Sequence, residues 1–304
     1  MMNKMIYDRI RGALYGVAVG DALGGPLEFM DAETIKAKHG RVTEMIGGGW
    51  LYLTPGETTD DTAMTLCVAR GIVENPEDPI PAIGRNFIEW GKSGPKDIGT
   101  TCSAAIRQAI ANNATTAGDW EEVGYTICRY FLGKNGGNGA LMRTIYPALF
   151  YADRGVREQM TTAIGSMTHR NFESDGICEI YANAVHNAIF GGHPIATIEP
   201  DLFYTPNAKP TGYVVDTWSN ALDSILSTET FEDAIVEAVN RGGDADTIGA
   251  IAGGLAGAWY GYANIPERWI TRLDPELCKE LDELAEIAYK ANDDYYHTKY
   301  TTLK

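Results

Sequence analysis

The stretch RGGDADTIGAIAGGLAGAWYGYANIPE, residues 241–267, decides the fold. From Thr247 to Pro266 it carries no Asp, Glu, Lys, Arg or His, a run long enough to raise the question of a membrane span. Its Gly and Ala content, with Asp244 and Asp246 just before it and Glu267 just after, reads instead as a tightly packed core helix over 246–262. Gly249, Gly253 and Gly257 recur every four residues, and residues four apart share one helix face. The predicted first helix, 6–24, has the same spacing at Gly12, Gly16, Gly20 and Gly24. Each glycine costs about 1 kcal/mol of helix propensity against Ala. Four on one face therefore point to the close approach of another helix. The two helices are expected at the centre, in mutual contact.

Outward from this pair, segments of helical period recur at 60–74, 80–91, 100–112, 119–132, 139–153, 155–168, 173–191, 214–227, 230–241 and 276–291. Gly, Pro, Asn or Asp punctuates them, and convincing two-residue alternation is scarce. The pattern predicts one all-α domain over 1–304, with 40–58 and 193–213 as its long loops.

Composition narrows the function. Apolar residues make up 44%, enough for a substantial core, while 25 basic residues face 41 acidic ones. A balance of −16 argues against nucleic acid or an anionic membrane as the main partner, since both call for a basic surface. Cys67, Cys102, Cys128, Cys178 and Cys278 are odd in number and dispersed, without a C-x-x-C. They suit a reducing cytoplasm better than a disulfide framework or zinc knuckle. The N-terminus lacks an uninterrupted apolar segment of the kind an export signal carries. Nothing in the sequence requires more than a monomer.

Two acidic clusters open apolar helices: Thr59-Asp60-Asp61-Thr62, and Asp244-Ala245-Asp246-Thr247. Either alone is explained by helix capping and the helix dipole. If the two starts meet, four carboxylates share one partly buried site. At about 4 Å and an effective dielectric near 20, each like-charged pair repels by roughly 4 kcal/mol. Such a group must take up protons or bind cations. Carboxylate and hydroxyl oxygens select hard ions such as Mg²⁺, Mn²⁺ or Ca²⁺, and four carboxylates suit two of them. The histidines show no zinc-hydrolase spacing.

Other stretches could complete a site. Glu28 follows the glycine-rich first helix, and could equally be a solvated surface acid. Asp97 precedes a predicted helix, where it could simply cap. Gly136, Gly137, Asn138 and Gly139 run into a helix, as phosphate-cradling loops do, although no Walker lysine follows and a plain connecting loop reads as well. His169 falls near a helix end, where a dipole role competes with a functional one. Tyr213 and Trp218 could stack on a base or belong to the core.

Taken together, GDALGGPLEF (20–29), GGGWLYLTPGETTDDTAMTL (47–66), KSGPKDIGTTC (92–102), GNGALMR (137–143), Thr168-His169, YVVDT (213–217) and GGDADTIGAIAGGLAGA (242–258) resemble the ADP-ribosylglycohydrolase family, and within it the dinitrogen reductase-activating branch. The resemblance covers residues 8 to 275. It implies a compact multi-helix orthogonal bundle around a binuclear Mg²⁺ or Mn²⁺ centre. The metal ligands it implies are Thr59, Asp60, Asp61, Asp244, Asp246 and Thr247. Asp97 would be the essential catalytic carboxylate, with Glu28 a further acid at the mouth. The 136–139 loop would hold the pyrophosphate and Tyr213 would flank the nucleotide, with Thr100 and His169 also touching substrate. The implied reaction is hydrolysis of the N-glycosidic bond between ADP-ribose and an arginine of a modified protein, including dinitrogen reductase. Where members of that branch commonly carry an asparagine, this chain has Thr100. Where a second histidine often follows, it has Arg170-Asn171-Phe172. Both differences bear on substrate contacts and not on metal ligation.

Three alternatives stay open on the sequence. The bond cleaved could be to serine or another oxygen; the site could be a two-metal phosphoesterase acting on ADP-ribose or a nucleotide; or the chain could bind ADP-ribose without turnover. The last would be marked by lost metal ligands, and none of the six is missing.

Overall fold

The computed structural model describes residues 3–191 and 203–301. Among these the architecture is all-α, with pairing of extended backbone confined to isolated bridges such as Gly137 with Tyr213. The helices are α1 (Lys4–Gly24), α2 (Ala32–His39), α3 (Asp60–Glu74), α4 (Ile80–Lys92), α5 (Thr100–Ala111), α6 (Ala117–Tyr130), α7 (Ile145–Phe150), α8 (Arg154–Ser166), α9 (Phe172–His186), α10 (Val214–Leu226), α11 (Phe231–Asn240), α12 (Ala245–Tyr260), α13 (Glu267–Ile270) and α14 (Pro275–Thr301). No helix among the described residues is long and apolar enough to cross a membrane.

The glycine spacing decides the centre. α1 and α12 run antiparallel, and their backbones meet along the glycine faces. A Cβ built on Gly16 would lie 2.0 Å from the carbonyl oxygen of Gly253, and one on Gly253 equally close to that of Gly16. Every residue of α12 from Ala245 to Ala258 is buried. α3, α9, α10, α11 and α14 pack round this pair, and Trp120, Trp218 and Trp269 are wholly enclosed in the surrounding apolar core. Trp218 is thus a core residue. The antiparallel seam has a consequence for function: the end of α1, which leads into Glu28, lies beside the start of α12, which carries Asp246.

Two predicted segments need correction, and α2 lies outside those predicted. The single helix expected over 139–153 is a short 3-10 turn, Leu141–Arg143, followed by α7. Pro147 explains the break, because in an uninterrupted helix its ring would strike the carbonyl of Arg143 and a hydrogen bond would be lost. The segment expected to run to 191 as one helix changes after His186 into a π-turn, Asn187–Gly191. Within the loop expected over 193–213, residues 193–202 lie outside the described part; 203–213 are irregular. α2 arises inside what looked like connecting sequence. Asp31 caps it, accepting from the Thr34 N–H at 2.6 Å, and Gly40 ends it at a φ of 73°.

Candidate active site

The two acidic helix starts meet. α3 opens with Thr59, Asp60 and Asp61, buried to 7%, 8% and 0% exposure. α12 opens beside it with Asp244, Asp246 and Thr247. The Thr247 hydroxyl lies 3.4 Å and the Thr59 hydroxyl 3.3 Å from the same Asp61 Oδ2, which joins the clusters directly. From the seam side come Glu28 and from the loop before α5 comes Asp97. One oxygen each of Glu28, Asp97 and Asp246 can be chosen so that all three lie within 4.8 Å of one another. A cavity of about 200 Å³ opens over this group, with Gly99, Thr100, the 137–139 loop and His169 around it.

Each acid is held by a named partner. Glu28 accepts a hydrogen bond from Trp50 Nε1 at 2.7 Å. Asp60 accepts from the Gly99 N–H at 3.1 Å, which ties α3 to the Asp97 loop. Asp244 accepts from the side-chain amide of Asn138, whose NH₂ also donates to Thr217 at 2.9 Å. The backbone N–H of Asn138 donates to Gly212 at 3.0 Å. Asn138 therefore directs its donors to the protein, and its contribution is to orient Asp244.

Burial pushes all of these carboxyls above the usual range. Glu28 rises to about 8, with Asp97 and Asp244 adding repulsion against the Trp50 hydrogen bond. Asp60, Asp61 and Asp246 are raised strongly, first by burial and then by neighbouring carboxylates, chiefly Asp97 for Asp60, Asp21 for Asp61 and Asp244 for Asp246. Asp97 is raised by burial and held back by the Ile98 N–H and the neighbouring Asp60 carboxyl. The chemistry of this donor set fits hard divalent cations: carboxylates and threonine hydroxyls converge, and Asp61 Oδ1 is buried with no hydrogen-bond partner.

The glycines of the 136–139 loop answer to close contacts. A Cβ on Gly139 would sit 2.8 Å from His169 Cε1 and 2.9 Å from Cys102 Sγ, and one on Gly136 would sit 3.1 Å from the Tyr213 ring. The loop is thus laid against His169 on one side and Tyr213 on the other, and Tyr213 keeps 40% of its surface exposed. Thr100 begins α5 at the exposed rim. His169 is buried; desolvation, with help from Arg143, pushes it down to about 3, so it is neutral at physiological pH. Thr168 accepts from Arg143 at 2.8 Å and lies 2.7 Å from His169 Nδ1. The Thr168 hydroxyl can donate to Nδ1 in the tautomer that carries the ring proton on Nε2, the nitrogen on the Gly137 side.

Two organising residues were not picked out from sequence. Asp21, fully buried in α1, takes the Thr59 N–H (3.0 Å) and hydroxyl (2.9 Å) and the Thr62 N–H (3.1 Å) and hydroxyl (2.5 Å). It thereby fixes the first turn of α3. The available signal was an aspartate amid an apolar, glycine-rich helix, which cannot stand there without donors. The other is Arg143, fully buried, which donates to the carbonyl oxygens of Gly139 and Ile164 and to Thr168.

Comparison with known proteins gives the same frame. The family model described as ADP-ribosylglycohydrolase matches residues 2–298. The chain is 36% identical over 292 residues to the ADP-ribosyl-[dinitrogen reductase] glycohydrolase of Rhodospirillum rubrum, covering 92% of this chain and 95% of that one. It is 31% identical to the ADP-ribosylarginine hydrolase Tri1 of Serratia proteamaculans, covering 88% and 75%. A solved structure titled ADP-ribosylglycohydrolase-related protein complex superposes with a TM-score of 0.77 at 30% identity, over 95% of this chain and 99% of that one. On the extent of these matches, the chain belongs to the ADP-ribosylglycohydrolase family.

Proposed function

We propose that the protein removes ADP-ribose from arginine side chains of modified proteins, with two divalent cations, Mg²⁺ or Mn²⁺, as cofactors. The observation that carries this reading is the convergence of Glu28, Asp97 and Asp246 within 4.8 Å beneath the 137–139 loop and His169. The relatives named for activity on dinitrogen reductase and on ADP-ribosylarginine support it.

Thr59, Asp60, Asp61, Asp244, Asp246 and Thr247 would hold the cations. Bound there, cations supply positive charge toward substrate oxygens and acidify water. The remaining chemistry falls to the chain's own groups. Hydrolysis breaks the bond from the anomeric carbon of the ribose to the guanidine nitrogen. A water oxygen bonds to that carbon, and one water proton ends on the departing guanidine. The transition state resembles an oxocarbenium ion, which flanking carboxylates stabilise. Asp97, on a loop and with its proton affinity raised, handles that proton at the ring or the leaving nitrogen. Glu28, kept protonatable near neutrality, belongs to the same trio. The 136–139 loop holds the pyrophosphate, with neutral His169 behind it, and Tyr213 flanks the base.

The test is incubation of purified protein with Mn²⁺ or Mg²⁺ and substrates carrying arginine-linked or serine-linked ADP-ribose, with a chelated control and mass spectrometry of products. Metal-dependent release of intact ADP-ribose and unmodified arginine is expected. Release from serine alone would move the specificity, and AMP or phosphate among the products would overturn the glycosidic reading.

A further inference from the structure

A second cavity meets the first at the two acids of the Asp97 wall. It measures about 160 Å³ and lies between the 51–59 segment, α4 and the loop that leads to Asp97. Asp60 and Asp97 line both cavities. The rest of the second is unlike the first: the apolar side chains of Leu51 and Leu53, the indole of Trp90, and the ion pair of Glu57 with Lys96 at 2.5 Å. Neither cavity reaches the roughly 300–1,000 Å³ that a whole small-molecule site takes. A substrate reaching into both, with its scissile bond at the shared carboxylates, uses the two volumes together.

We propose that this second cavity is the leaving-group subsite, holding the arginine side chain on the far side of Asp97 from the ADP-ribose. The assignment rests on the arginine-linked reading above and adds to it the residues that recognise the arginine. An arginine is an aliphatic stem ending in a planar cation. Leu51 and Leu53 match the stem. The Trp90 indole is the kind of surface on which a guanidinium stacks. Charge agrees: Lys96 is neutralised by Glu57, and Asp97, which is not among the residues that would hold the cations, faces the cavity with no cation of the chain paired to it among the described residues. A guanidinium released in protonated form is received by Asp97, left ionised once its proton has passed to the leaving nitrogen. Glu57 is itself fixed from behind, accepting from the Thr54 N–H at 2.9 Å and its hydroxyl at 3.2 Å. This holds the Lys96 ammonium away from the acids.

The experiment compares Trp90→Leu and Glu57→Gln with the wild type in three measurements on metal-loaded protein. These are KM for an arginine-ADP-ribosylated peptide, competitive inhibition by agmatine (a free guanidinium on an aliphatic stem), and Kd for ADP-ribose. Loss of the stacking surface, or release of Lys96 toward the site, is expected to raise KM and the agmatine inhibition constant together by about tenfold. ADP-ribose affinity should stay within twofold, which also reports that each variant is folded. Unchanged KM and agmatine inhibition in both variants would overturn the subsite while leaving arginine hydrolysis standing. An equal loss of ADP-ribose affinity would overturn it too, by making the cavity part of the nucleotide site. A wild type that releases ADP-ribose from serine and not from arginine would remove its premise.

Discussion

Gly16→Ala tests the central seam, and two effects of opposite sign compete in it. Alanine improves helix propensity by about 1 kcal/mol over glycine. Against this, the added Cβ would lie 2.0 Å from the carbonyl oxygen of Gly253 and 2.6 Å from its carbon. A tolerable carbon–oxygen approach is about 3.3 Å, so α1 and α12 must separate locally by about 1.3 Å. The obstacle is backbone, and no rotamer change relieves it. Overpacking where side chains can still adjust costs about 1–3 kcal/mol, so a backbone clash belongs at or above the top of that range. The net expectation is a loss of about 2 kcal/mol or more, or roughly 3 °C or more in melting temperature for a chain this size. Gly118→Ala supplies the control: it sits in the first turn of α6 with nothing closer than 3.9 Å to the new carbon, and it should be neutral or slightly stabilising. The assay is thermal unfolding of the metal-free proteins, followed by Mn²⁺ titration. Because the seam sets Glu28 beside Asp246, Mn²⁺ affinity should fall in Gly16→Ala and hold in Gly118→Ala. A Gly16→Ala protein melting at or above the wild type would refute the packing argument.

Other outcomes follow from the site. Asp97→Asn should abolish hydrolysis while ADP-ribose affinity, measured by calorimetry, stays within a few fold; undiminished turnover removes Asp97 from the mechanism. Asp21→Asn replaces a carboxylate that accepts four donors by a group with one acceptor oxygen, and should destabilise the fold by about 3 kcal/mol or more; denaturant unfolding would expose an unchanged midpoint as contrary evidence. Chelated protein should lose stability as pH rises. Glu28 titrates near 8 when folded against about 4.5 when unfolded, so its protonated form favours the fold below about 4.5, and that advantage is gone above about 8, a change of about 3 kcal/mol after allowing for solvent. Saturating Mn²⁺ should flatten this slope, and a chelated protein more stable at pH 8 than at pH 5 would contradict the burial of these acids. Asp246→Ala should lower bound Mn²⁺ per chain, read by elemental analysis, and full stoichiometry would strike it from the ligand set.

How much of this was visible in the sequence depends on the range of the signal. The seam could be read because glycines four apart state a helix face directly. The meeting of Thr59-Asp60-Asp61 with Asp244-Ala245-Asp246-Thr247 could be anticipated because two costly acidic starts imply a common solution. α2 escaped because it buries only Ile35 and so lacks an apolar stripe, although Asp31 and Gly40 mark both its ends. The break before α7 was legible in Pro147 and was passed over in favour of the apolar period around it. The burial of Arg143 leaves no mark in the sequence, because its partners, from Gly139 to Thr168, are main-chain carbonyls and a hydroxyl, which form no pattern of opposite charge. The second cavity is assembled from residues 51 to 97, and a grouping made by tertiary packing leaves no spacing to read.

Arg143 also bears on how the site could move. One side chain ties the 137–139 loop, the end of α8 and the Thr168-His169 segment into a single body. The opposite wall is joined more sparingly: Trp50 to Glu28 by one hydrogen bond, Gly99 to Asp60 by another, and Lys96 to Glu57 at the surface. The two walls are therefore tied down unequally. On the proposed reading, the carboxylate that handles the proton sits on the side of the site tied by the fewer of these contacts.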